Sequence, residues 1–166
     1  MPLERLWAGW RGEYVDSDPS VDDGCVFCRI LASGEDDEAT YVLWRGQATA
    51  AILNAFPYTS GHVLVLPLRH VADLEQLSGP EAAELWSGVT AAVVAIKAAY
   101  QPGGLNVGSN LGRPAGAGIP GHLHVHCLPR WNGDTNFMTS LAEVRVLPEA
   151  LATTWRRLRA TWPEPS

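Results

Sequence analysis

Positive charge is scarce in this chain of 166 residues: Lys97 is its only lysine, and 12 basic residues face 18 acidic ones, for a formal net charge of −6. A nucleic-acid polymer is held by a basic footprint, which this sequence lacks, so no such polymer is expected as a partner. Small phosphorylated ligands escape that exclusion, because backbone N–H groups and imidazoles hold phosphate without a general positive field. Cysteine is also sparse, three in all. An odd number, with Cys25 and Cys28 in C-x-x-C spacing, fits a reduced compartment better than a disulfide framework. No apolar run reads as a membrane span, and Met1-Pro-Leu-Glu-Arg lacks a signal-peptide layout. A cytoplasmic protein without a membrane partner is therefore expected. Repeats and long low-complexity tracts are missing too, which leaves one domain over residues 1–166, long enough for a sizeable core.

What is present converges on Gly118-Ile-Pro-Gly-His122-Leu-His124-Val-His126-Cys-Leu-Pro-Arg-Trp131. Three of the five histidines recur there at every second residue, with Leu123, Val125 and Cys127 between them. That is the period of a strand, so the imidazoles share one face and the apolar residues turn to the core. One metal cannot use all three. At about 3.3 Å per residue His122 and His126 start about 13 Å apart, against Zn–N bonds of about 2.0–2.1 Å. A neighbouring pair can chelate with help from elsewhere. The reading that uses the whole face is a nucleophile flanked by two helpers, since imidazole is neutral and nucleophilic near pH 7.

The approach to this stretch is rich in glycine, at 104, 108, 112, 116, 118 and 121. Glycines let a backbone come close to a ligand and turn successive N–H groups toward an anion. It is not a P-loop, because no Gly-Lys-Ser/Thr follows and a strand, not a helix, comes next. Arg113 is the one cation in it.

Elsewhere, residues 3–14 place Leu3, Trp7, Trp10 and Tyr14 on one helical face, an arm that packs on the core or reaches a partner subunit. An acidic linker covers 16–23, a short helix follows the C-x-x-C through Leu31, and Gly34–Glu38 reads as a solvated loop. Strands are expected at Thr40–Arg45, Gln47–Leu53, Gly61–Leu66, Leu105–Ser109, His122–Leu128 and Leu141–Leu147. Ser78-Gly-Pro-Glu81 has capping-box spacing, so a long helix runs from Ala82 to about Tyr100, and Pro148–Trp162 forms a terminal amphipathic helix. The pattern is an α+β fold, an antiparallel sheet covered on one side.

His122-Leu-His124-Val-His126-Cys-Leu resembles the motif of the histidine-triad superfamily. Asn54-Ala-Phe-Pro-Tyr-Thr-Ser-Gly61-His62-Val-Leu-Val-Leu-Pro resembles the earlier strand of that family, and Cys25-Val-Phe-Cys28-Arg-Ile its N-terminal C-x-x-C. Trp131-Asn-Gly-Asp-Thr-Asn-Phe-Met138 is similar to a bacterial branch containing diadenosine tetraphosphate phosphorylases and hydrolases. The resemblance implies a HIT-like core over residues 25–137, an N-terminal arm (1–20), a C-terminal strand and helix (138–166), and a homodimer. It implies that His124 attacks an α-phosphorus to form a nucleotidyl-histidine, that His126 donates to phosphate oxygens, and that cleavage of dinucleoside polyphosphates proceeds by phosphorolysis or hydrolysis. A phosphoramidate or acyl-nucleotide hydrolase, and a nucleotide-binding module without turnover, are the alternatives. Asn54 matches a ribose contact and Asn110 a phosphate contact. His62 and Gly118 belong to the same nucleotide site, although Ala117-Gly118-Ile119 replaces the common Gly-Gln-Ser and removes a side-chain donor. Trp131 either stacks on a base or packs. Cys25, Cys28, His70 and His122 match the ligands of a structural zinc; the resemblance is silent on a divalent metal for activity.

Overall fold

The computed structural model describes residues 24–134 and 149–163. The expected arm, the acidic linker, the strand at 141–147 and residues 135–138 of the tryptophan segment lie outside them. Runs of Val, Leu, Ile and Ala, which suit a pleated buried surface, form β1 (Val42–Arg45), β2 (Thr49–Leu53) and β3 (Val63–Pro67). With β4 (Gly104–Gly108) and β5 (Val125–Arg130) they make one antiparallel sheet in the order β1-β2-β3-β5-β4.

Helix α3 (Gly79–Tyr100) lies across one face of this sheet, with α4 (Leu151–Thr161) beside it. It starts three residues before the expected Ala82, because the capping box itself forms the first turn. The Ser78 hydroxyl accepts from the Glu81 N–H, and the Glu81 carboxylate accepts from the Ser78 N–H. At 22 residues α3 has the length and composition of a membrane span, contrary to the sequence reading. Its Leu85, Val89, Ala92, Ala95 and Ile96 are instead built into the core with Val63, Val65, Val125 and Cys127. The Glu84 carboxylate on α3 accepts from the Gln47 and Ala48 N–H groups, which ties the helix to the β1–β2 turn.

The second face is covered as well, where a sheet covered on one side was expected. Strands β2 and β3 are buried along their whole length, which one helical layer alone does not do. A short helix, α1 (Val26–Ala32), supplies the other cover. Its Phe27 packs with Val42, Ile52, Leu64 and Leu66, against which Ile119 of the glycine-rich loop also lies. A further difference is the acidic run, which ends in one helical turn, α2 (Asp37–Thr40). Asp37 and Glu38 sit at its N-terminus, where the helix dipole favours negative charge.

Candidate active site and metal cluster

The triad strand begins later than its alternation implies. Ladder pairing with β3 stops at Val65↔Val125. Two residues further along β3 is Pro67, which has no N–H to donate, and the Leu123 N–H turns to the Val71 carbonyl instead (2.6 Å). His122 and His124 thus precede β5, and His126 lies within it opposite Leu64. The division of faces still holds. Leu123, Val125 and Cys127 join the α3 core, and the imidazoles lie on the α1 side.

Hydrogen bonds assign the proton on each ring. The Tyr58 N–H donates to His62 Nδ1 (3.2 Å), so His62 carries its proton on Nε2 and donates to His126 Nδ1 (2.9 Å). His126 must then carry its own proton on Nε2. His124 is wired the opposite way: Nδ1 donates to the His122 carbonyl (2.7 Å), which leaves the lone pair on Nε2. The two rings sit 5.0 Å apart between centroids. Burial, only partly opposed by the bond to His122, holds His124 below the ordinary imidazole range. Burial and the neighbouring His124 push His126 down to about 4. Both rings are therefore neutral near pH 7. A free lone pair stands beside an N–H donor, the pair that attack on phosphorus and stabilisation of its oxygens require.

A cleft of about 260 Å³ opens on these two rings. Its walls are apolar: Val26, Phe27 and Ile30 from α1, with Ile52, Leu64 and Ile119. Asn54, Gly116 and Gly118 also line it. Asn54 accepts from the Phe56 N–H (2.9 Å) and donates to His62 Nδ1 (3.3 Å), so it braces the histidine relay as well as facing the cleft. Asn110 does not line it; its amide donates to the Gly116 carbonyl and holds the loop. Nor does Trp131, whose ring meets the edge of Tyr100 at 6.2 Å. The loop is less open than a ring of N–H groups. The amides of Ala115, Gly116 and Ala117 close on the carbonyls of Gly112 and Arg113, helped by positive φ at Gly112 and Gly116 (78° and 91°).

His122 faces away from the cleft. Its Nε2 donates to the Pro67 carbonyl (2.8 Å), which turns the lone pair of Nδ1 toward Cys25 Sγ (3.3 Å) and Cys28 Sγ (3.6 Å). His70 Nδ1 is 3.4 Å from Cys28 Sγ. All four donor atoms lie within 4.8 Å of one another, so Cys25, Cys28, His70 and His122 can hold a metal ion. The nitrogen–sulfur separations are close to the edge of a tetrahedral N/S site, about 3.6 Å for bonds of about 2.05 and 2.3 Å.

Residues 36–133 match the HIT domain. The chain belongs to the HIT domain family. The AP-4-A phosphorylase of Mycobacterium tuberculosis (strain H37Rv) is 40% identical to this HIT protein over 96% of the chain and 85% of the relative. A solved hypothetical histidine triad nucleotide-binding protein of Sulfolobus tokodaii superposes with a TM-score of 0.67 at 30% identity, covering 82% of this chain and 91% of the other. A Zn-bound histidine triad family protein of Mycobacterium smegmatis gives a TM-score of 0.67 at 28% identity, with coverage of 84% and 93%.

Sequence reasoning missed the apolar cleft walls and the main-chain groups that orient the rings. Ile52 and Leu64 were accessible to it, since pairing the triad strand with β3 puts Leu64 beside His126 and Ile52 next in register. Phe27 carries no such signal: a seven-residue helix leaves its facing undetermined until it is docked. The Tyr58 N–H and the Pro67 carbonyl are main-chain groups, which residue types do not reveal.

Proposed function

We propose that this HIT protein cleaves dinucleoside polyphosphates, diadenosine tetraphosphate foremost, by nucleotidyl transfer through His124 with inorganic phosphate as acceptor. The observation that carries the reading is the opposed wiring of His124 and His126 at the floor of an apolar cleft. His124 Nε2 attacks the α-phosphorus of one nucleotide. The N–P bond forms as the bridging P–O bond breaks, and ATP leaves with the electron pair. The His126 Nε2–H donates to the oxygens on which charge builds up, and His62 keeps that proton in place. A phosphate oxygen then displaces His124 and yields ADP. A base between Phe27, Ile30 and Ile119 positions the reacting phosphorus, with Asn54 facing the ribose. The 40% identity to a phosphorylase over nearly the whole chain favours phosphate over water as acceptor.

Cys25, Cys28, His70 and His122 would hold a structural zinc in this reading. A closed four-ligand set stabilises the fold and leaves no open position for substrate. A homodimer belongs to the same proposal: among the described residues β4 is an edge strand, and α3 exposes Trp86 and Val94.

The test is incubation with diadenosine tetraphosphate, with and without phosphate, and separation of products. ADP plus ATP, dependent on phosphate, is expected. AMP plus ATP would make the protein a hydrolase. Nucleotide binding without any product would make it a binding module.

A further inference from the structure

The metal cluster and the cleft share one short element. Helix α1 is capped by Cys25 and carries Cys28, and its Val26, Phe27 and Ile30 are cleft wall. Phe27 is 4% exposed and reaches both sites. Its ring meets His122 of the cluster edge-on at 5.4 Å and His124 of the cleft at 5.2 Å. His122 makes a second link, because its side chain belongs to the cluster and its carbonyl accepts the hydrogen bond from His124 Nδ1–H.

We propose that the metal cluster and the nucleotide cleft are one linked binding unit joined through α1 and Phe27, so that zinc tightens nucleotide binding and nucleotide tightens zinc. The linkage rests on the proposed nucleotide reading of the cleft and goes beyond it. A seven-residue helix is too short to hold itself. Its apolar face packs over β2 and β3, the Arg45 guanidinium donates to the Leu31 carbonyl in its last turn (3.1 Å), and its cysteines tie its start to the cluster. Without the ion, α1 samples positions in which its wall residues leave the cleft. A nucleotide that fills the cleft pays for recovering them. With the ion in place that cost disappears. Reciprocity follows: a nucleotide that selects the docked α1 also holds the two thiolates at metal-binding distance, and the two effects are equal by thermodynamic necessity. The device would let loss of the metal, by chelation or oxidation of the half-buried Cys25 and Cys28, lower nucleotide affinity without touching the triad residues themselves.

Zinc-loaded protein is titrated with a chromogenic chelator with and without saturating AMP, and AMP affinity is measured for loaded and stripped protein. AMP should lower the apparent zinc Kd by about 5-fold or more, within the usual range of coupling. Stripping zinc should raise the AMP Kd by the same factor. AMP that binds loaded protein but leaves zinc partition unchanged overturns the linkage. Failure of AMP to bind loaded protein instead overturns the nucleotide reading of the cleft. Far-ultraviolet circular dichroism should show stripped protein keeping the α3 and α4 signal; collapse of that signal would replace local loosening by global unfolding and reject the role of α1. In Phe27→Leu, zinc content should stay at that of the parent protein while the coupling factor falls toward one. Undiminished coupling in that variant would remove Phe27 from the link.

Discussion

His122 and His126 are the same residue type, four positions apart on one side of one segment; both carry the proton on Nε2, yet they turn opposite edges of the ring to their sites. His122 donates its Nε2–H to the Pro67 carbonyl in a hydrogen bond and turns Nδ1 to two thiols. His126 accepts the His62 Nε2–H at Nδ1 and so presents its own Nε2–H to the cleft. Neither assignment comes from the imidazole. Each is imposed by the group that faces it, a carbonyl at the end of β3 in one case and a relayed main-chain N–H in the other. His124, between them, takes its orientation from the main chain of His122. The alternating motif therefore fixes which side the rings occupy, and the surrounding backbone decides what each does.

Loss of the central histidine should have the largest effect. His124→Ala should lower turnover of diadenosine tetraphosphate by about 10⁴-fold or more, the scale of losing a nucleophile. AMP binding should stay near the parent value, because the apolar walls remain. Retention of more than about one per cent of the activity would make His124 a bystander. His126→Ala should cost about 10²–10³ in kcat, as for loss of one oxyanion donor.

His62→Ala sharpens the contrast, since His62 is bonded to His126 and does not itself line the cleft. Its cost should fall below that of His126→Ala, and the double variant should be no slower than His126→Ala alone. Nitrogen-15 shifts of the imidazoles give a readout that a merely structural role would not move: the His126 proton should leave Nε2 for a mixture of tautomers. Additive losses in the double variant would assign His62 a separate contact.

The pH profile carries a smaller effect with a definite sign. In the proposed reaction both cleft histidines act as neutral rings, and burial depresses the pKa of both. The acid limb of kcat/KM should therefore lie below the ordinary imidazole value of about 6.5. Stability should follow the same direction. A histidine with a depressed folded pKa binds fewer protons folded than unfolded, so stability is full above about 6.5 and is lost as pH falls toward the folded value, about 4 for His126. An acid limb centred at 6.5 or above would show that the rings are not desolvated in solution.

Much of this was legible in the sequence where side-chain pattern determines the outcome. The strand period grouped the three imidazoles, the capping box announced α3, and the resemblance matched two cysteines with His70 and His122, which the fold brings within 4.8 Å. Features decided by main-chain groups were not legible. Pro67 ends the β3–β5 ladder early, and no residue of the triad strand signals it. Nor does the composition of Val26–Ala32 reveal that it covers the second face of the sheet, because one turn either way would present different residues. Trp131 illustrates the same limit: whether an aromatic after the triad stacks on a base or packs depends on what lies opposite, and here Tyr100 does.

The smallest effect tests the division of faces itself. Cys127 adjoins His126 in sequence yet has no exposure, packs with the α3 core, and has its thiol pushed up to about 12 by burial alone. Its neighbour His126 lines the cleft, on the opposite side of the strand. Cys127→Ala removes one sulfur from a packed core, so it should cost about 1–2 kcal/mol of stability through the small cavity left behind. Activity should be unchanged within about twofold, since no cleft residue loses a partner. In native protein Cys127 should resist alkylation while unfolded protein exposes it, and Cys25 and Cys28 should become reactive first, on removal of zinc. A variant with parent stability but reduced kcat would mean that the core face of β5 reaches into the reaction, and the separation of His126 from Cys127 by strand alternation would fail.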